Sequence, residues 1–195
     1  VLALVSTAIM GGVNQLRVMP ALTEMGETFL ATVSADLLSA IKMQNAITQE
    51  KVNSDLELLF IELGRHGEVE EDQTRPVPME IVNQTTGERQ KVNLPKLTAG
   101  YQDITGNFEI VDQMQKMVGG TATIFQVTPG KMVRVSTNVR RADGERAVGT
   151  YIDDKSPVYQ ACMRGETYRG RAFVVSDWYL TAYKPIKDAA GKVVV

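Results

Sequence analysis

The sequence predicts an α+β fold in which a long N-terminal helix packs on a five-stranded antiparallel sheet. Three observations support this. Leu30, Val33, Leu37, Ile41, Val52, Leu56, Leu59 and Leu63 recur at steps of three and four, the spacing of one helix face. After Gly119 the chain breaks into short β-branched runs separated by turn pairs such as Pro129-Gly130 and Ser176-Asp177, the signature of hairpins. Among those runs Ser156-Pro157 opens a single short helix, with a capping residue followed by Pro at the first helical position.

The first element is expected to start near residue 21, because Pro20 is tolerated only in a first turn and Gly26 weakens what lies before it. Between Ile41 and Val52 the stripe is weaker, from Gln44 to Glu50, with Thr48 on its line, and Gly64 and Gly67 bracket its end. About 43 residues at ~1.5 Å each give roughly 65 Å, more than a domain of this size spans. Such a helix either leaves its apolar stripe for a second helix to cover or breaks near Gly26 or Gln44 and folds back. Residues 1–67 are therefore read as a helical stalk that is part of the domain, and 68–195 as its body.

Glu68–Asp72 (EVEED) reads as an exposed acidic loop. Pro76–Val82 and Arg89–Leu94 flank Asn83–Glu88, a hairpin with Gly87 in the turn, and Pro95 closes its second arm. Tyr101–Asn107 is turn-like. Phe108–Val118 is a short amphipathic helix stopped by Gly119-Gly120. Strands follow at Thr121–Thr128 and Lys131–Val139, then a loop with Asp143-Gly144, the helix from Pro157 to Gly165, and strands at Thr167–Val175 and Trp178–Ile186. A last strand begins at Val193 and is expected to be truncated, since a partner for Trp178–Ile186 should run further. The apolar start, Val1–Met10, is about half the ~20 residues of a spanning helix. It fits the stub of one, part of a signal-peptide core, or the first turns of a soluble helix.

Composition narrows the function classes. The chain has 195 residues, 44% hydrophobic and 23% charged, with a net charge of −2 and the signs interspersed. No basic face points to nucleic acid, and Arg140, Arg141 and Arg146 read as a solvated loop. One cysteine, Cys162, and one histidine, His66, allow no disulfide framework and no thiolate metal site within the chain. The adjacent acids Glu70-Glu71 and Asp153-Asp154 diverge rather than share a face. No serine sits in a nucleophile elbow and no Gly-x-x-x-x-Gly-Lys run occurs. An enzyme is not expected, and neither is a cofactor or a metal.

Two strands, a helix and three strands in about 75 residues is the order of a PAS-like sensor module. The run GGTATIFQ, RVSTNV, RAVGTYI, SPVYQACMRGETYRGRAFVV and WYLTAYKPIKDAAGKVVV resembles the Cache family of extracytoplasmic sensor domains. The closer likeness is to the Cache 3/Cache 2 fusion type of bacterial methyl-accepting chemotaxis proteins. It is close from Phe108 to Val195 and looser back to about residue 25. The resemblance implies a periplasmic, ligand-binding domain of an inner-membrane receptor. It further implies a homodimer in the full-length protein, with membrane helices on either side of the domain.

The expected pocket lies on the last long strand. Period two places Tyr179, Thr181 and Tyr183 on one face and Trp178, Leu180 and Ala182 on the other. A row of hydroxyls suits a small polar ligand, because a buried hydroxyl must find a partner; alternatively that face meets solvent. Arg134 sits among valines of an earlier strand, where an Arg is more often at the surface; in many sensor domains of this fold class, however, a cation in the comparable place holds the ligand's carboxylate. A guanidinium is the natural clamp for such a group. Arg171 and Lys184 are rival cations, and Arg169 is expected to face water. Thr137, Tyr151, Tyr159 and Tyr168 complete the expected ligand contacts. The expected ligand is a small organic anion, a short carboxylate in the first place. A histidine kinase or cyclic-dinucleotide enzyme carrying the same sensor is the alternative context, and an adhesive domain with a filled pocket is a third.

Overall fold

The computed structural model describes residues 2–188 and 190–195, with side chains from residue 18 onward. The chain divides into two compact units, Val1–Ile47 and Thr48–Val195. Helix α1, Leu2–Arg65, runs through both. It is continuous across Pro20 and Gly26, so the expected start near residue 21 and the alternative of a break are both corrected. Good helix formers flank the proline (Met19, Ala21, Leu22), and an interior Pro costs about 3 kcal/mol, which a long run of favourable residues offsets. The reading of Val1–Met10 lies outside the residues whose side chains are described. No described helix is long and apolar enough to cross a membrane.

In the first unit, described side chains from residue 18 to 47 are all exposed, among them Met25, Phe29, Leu30, Leu37 and Ile41. The second unit opens with the end of α1, where Leu59 and Leu63 enter the core.

The strands are β1 (Val69–Asn83), β2 (Arg89–Ala99), β3 (Gln102–Asp103), β4 (Thr123–Thr128), β5 (Lys131–Thr137), β6 (Thr150–Asp153), β7 (Tyr168–Val174) and β8 (Asp177–Tyr183). Helices α2 (Glu109–Val118) and α3 (Pro157–Met163) interrupt them. Among the described residues they form a six-stranded sheet in the order β3-β2-β1-β6-β5-β4 and a separate β7-β8 ladder. The sheet is mixed, because β1 pairs with β6 in parallel. The fold is thus α+β as expected, but five antiparallel strands become six mixed ones plus a hairpin.

That difference has two local causes. Glu68–Asp72 is not a loop: β1 begins at Val69, which is buried and pairs with Ala99. The hairpin arms consequently extend beyond Pro95, with a register shift between Asp72 and Pro76 absorbing the irregularity. Secondly, the loop after β5 yields a short strand, β6. Gly149, just before it, adopts φ +79°, and a Cβ there would lie 2.6 Å from the Glu80 carbonyl oxygen. Its N–H donates to Arg134 O and its carbonyl accepts from Val82 N, both at 2.9 Å, so one glycine stitches β5 to β1.

The segment after β8 also pairs. Val127 N–H donates to Val194 O, and Ile186 N–H to Val195 O, each at 2.9 Å. Residues 193–195 therefore lie between β4 and the chain leaving β8, which joins the ladder to the main sheet. Both faces of β4 and β5 are covered. Ile124, Val133 and Val135 belong to one core with Leu63, Ile81 and Val111, while Phe125, Val127 and Met132 belong to a second with Val158, Cys162 and Ala172. Ser156 caps α3, its side chain accepting from Val158 N, with Pro157 opening the helix. Gly119 ends α2 in the left-handed conformation.

Candidate ligand-binding pocket

A cavity of about 420 Å³ lies within the second unit, bounded by the end of α1, α2, β4, β5, α3 and β8. Its wall is mainly apolar. Arg134 enters it from β5, on the face that also carries Met132 and packs with Phe125. The side chain is 1% exposed.

The guanidinium is held on one side only. Nη1 donates to Gln84 Oε1 at 2.9 Å and to Thr150 Oγ1 at 2.6 Å. Gln84 is fixed in turn by donating from Nε2 to Phe173 O at 2.9 Å, and Thr150 by donating to Ala147 O at 2.7 Å. The group lies over the Phe125 ring, 4.9 Å from its centroid. Nε is buried without a partner, and Nη2 makes no hydrogen bond to any described residue. No carboxylate of the described residues pairs with Arg134. Burial pushes its pKa down to about 10, opposed by the neighbouring Tyr183. A buried cation facing no anion is costly, and a guanidinium edge can grip a carboxylate with two parallel bonds.

Tyr183 lines the same cavity. Its ring lies 5.8 Å from that of Phe125 and 6.2 Å from that of Tyr168. Burial raises its pKa, with Arg134 acting in the other direction. Its hydroxyl makes no hydrogen bond to a described residue. Thr181 and Tyr179 also line the wall. The Thr181 hydroxyl, however, is occupied by Gly170 O at 2.9 Å, and Tyr179 is 47% exposed. Leu180 and Ala182 line it as well, so alternation along β8 does not sort wall from solvent.

Thr137, Tyr151, Tyr159, Tyr168 and Arg171 do not line this cavity. The Thr137 hydroxyl lies 2.7 Å from that of Thr123 in the β4–β5 ladder. Tyr151 is buried in the first core. The Tyr159 hydroxyl accepts from Gly130 N at 3.2 Å, and that of Tyr168 donates to Arg171 O at 2.7 Å. Arg171 is exposed, over the Trp178 ring at 5.6 Å, and Arg169 is exposed beside it. Lys184 does line the wall, but its ammonium is paired with Glu57 at 2.7 Å and lies over Phe60 at 4.0 Å.

Sequence reasoning missed Gln84 and Thr150, which aim the guanidinium, and the contribution of α1 through Val52, Leu56 and Leu59. The helical stripe carried a signal for the latter; nothing marked the former. Cys162 sits in the wall, and burial pushes its thiol up to about 11, which leaves it a small hydrophobe at neutral pH. Among the described residues no cluster of three or more acids, cysteines or histidines is placed to hold a metal ion.

No curated protein and no solved structure matches the chain. The model of one family, the Cache 3/Cache 2 fusion domain, matches residues 18–195. This range takes in the whole pocket, and Cache domains are extracytoplasmic ligand-binding sensors. The chain belongs to the Cache 3/Cache 2 fusion domain family.

Proposed function

We propose that this domain is the extracytoplasmic sensor of a chemoreceptor-like transducer and that its cavity binds a small organic carboxylate on Arg134. One observation carries the reading: a fully buried guanidinium in the cavity wall has no carboxylate beside it, and its Nε is without a partner. The carboxylate would take an edge of the guanidinium, and the free Tyr183 hydroxyl would donate a third bond. Binding would favour one packing of β4, β5 and β8 against the end of α1, and so bias the helix that continues toward residue 18. A homodimer formed through α1 would relay that bias to an output domain, with a histidine kinase or cyclic-dinucleotide enzyme as the alternative output.

Calorimetry with a panel of organic acids tests the site. Arg134→Ala should cost ~2–5 kcal/mol of binding, as for a desolvated charge pair that loses one member. Arg134→Lys keeps the charge but loses the fork and should fall between. Tyr183→Phe removes one neutral hydrogen bond, about 0.5–1.5 kcal/mol. An acid that binds Arg134→Ala as tightly as the native domain would rule the clamp out.

A further inference from the structure

We propose that the ligand is a monocarboxylate with a bulky hydrocarbon body, such as an arylalkanoate, and that the shortest acids, dicarboxylates and amino acids are poor ligands. This rests on the reading of Arg134 as the carboxylate clamp and narrows it by charge, size and polarity.

Charge comes first. Among the described residues, three charged ones line the cavity: Asp55, Arg134 and Lys184. Asp55 is neutralised by Lys51 at 2.6 Å, and the same ammonium donates to Val118 O at 2.9 Å. Lys184 is neutralised by Glu57 at 2.7 Å. Only Arg134 has charge to spare among them. A second ligand carboxylate would have to take Lys184 from Glu57, and a ligand ammonium would have to take Asp55 from Lys51. Both pairs are partly exposed, so either exchange trades one weak ion pair for another and brings the ligand little net gain.

Size and polarity agree. About 420 Å³ lies within the roughly 300–1,000 Å³ of pockets that enclose drug-sized molecules. Acetate, with one methyl beyond its carboxylate, would leave most of that space unfilled. The wall includes Val52, Leu56, Leu59, Met114 and Ile124, with Phe125 against the guanidinium. Two of the three lining threonine hydroxyls are already engaged, Thr123 by Thr137 and Thr181 by Gly170, and the third belongs to Thr121, an exposed residue. Few donors or acceptors therefore remain for a sugar acid or a hydroxy acid. A hydrocarbon body gains from such a wall in proportion to the area it buries.

The test is titration calorimetry of the domain with acetate, succinate, phenylalanine, 3-phenylpropionate and its neutral amide, 3-phenylpropanamide. The expected result is binding of 3-phenylpropionate at least tenfold tighter than acetate, succinate or phenylalanine, with the amide weakened at least tenfold. The amide needs no mutation, so the charge dependence is read even if Arg134 variants fail to fold. Tighter binding of acetate or succinate, lost in Arg134→Lys, would overturn the inference and leave the carboxylate clamp standing. Equal binding of the acid and its amide would overturn both, showing an apolar cavity without a charge clamp. Binding of none of the five would also overturn the inference, while the wider acid panel would still decide the clamp.

Discussion

Arg134 is expensive to bury and is held as though for use. Gln84 and Thr150 both bind Nη1, and Nε is left without a partner. Glutamate in place of Gln84 would set a carboxylate beside the guanidinium and satisfy its charge from within. Gln84→Glu is therefore expected to weaken acid binding tenfold or more, whereas Gln84→Ala leaves the charge unpaired and should weaken it less. Calorimetry on the two variants checks the order, and full affinity in Gln84→Glu would mean that Arg134 is not the anchor. The pH profile follows from the same group. A carboxylate ligand binds only protonated Arg134, whose pKa burial lowers to about 10. Affinity should stay flat through neutral pH and fall as pH rises through about 10. On the acid side it should fall near the ordinary carboxyl range of about 4 as the ligand protonates. Calorimetry between pH 4 and 10.5 reads both limbs, and an alkaline limb that begins near pH 7 would implicate a different group. Arg134 is a candidate in the sequence only through its likeness to the cation of related sensor domains, since an Arg bordered by valines on a strand more often faces water, and its burial is a tertiary fact. Its surroundings cannot be read there: Gln84 lies fifty residues away, and only tertiary structure brings it near. Alternation along β5 also misleads, since every residue of that strand after Lys131 is buried.

Among the elements, helices and turns were the more legible. Ser156-Pro157, Gly119 and Pro129-Gly130 are local devices, and α3, the end of α2 and the β4–β5 hairpin fall where those residues put them. What failed depends on partners distant in sequence. Glu68–Asp72 has the composition of a solvated loop, yet Glu71 is nearly buried within β1. There it accepts from Gln126 Nε2 at 3.0 Å and from Lys192 Nζ at 3.0 Å. Gln126 is itself fully buried on β4, and its Nε2 also donates to Pro95 O at 2.9 Å. One acid thus links β1, β4 and the segment after β8. Glu71→Ala should destabilise by about 1–3 kcal/mol, because it removes an acceptor from a buried amide. Lys192→Ala breaks only the partly exposed side of the same network and should cost about 0–1 kcal/mol. Urea denaturation of the two variants tests the ranking. Equal losses would place the energy in the exposed ion pair instead. The parallel β1–β6 pairing was equally hidden, since it depends on Gly149 approaching the Glu80 carbonyl, a contact that no local pattern encodes.

At the scale of the whole molecule, the first unit raises a question its own residues do not answer. Leu30, Leu37 and Ile41 are 65, 59 and 57% exposed, and Val33 lies between them at 37%. They recur at helical spacing, so they form one continuous apolar stripe, and an apolar stripe on a helix in water needs a covering surface. A second copy of the same helix offers a stripe of the same chemistry and a symmetric way to cover it. We therefore expect weak self-association of the isolated domain, strengthened by anything that holds two copies together and raises their effective concentration. Leu37→Asp places a charge in the middle of the stripe and should abolish that association. It should leave the sheet folded, because Leu37 is exposed and stands outside both cores. Sedimentation velocity across a concentration series reads the first effect, and near-ultraviolet circular dichroism of Trp178 and the tyrosines reads the second. If Leu37→Asp unfolds the domain, that face is internal packing and the dimer is wrong. If association persists at native strength, the covering surface lies elsewhere on the chain.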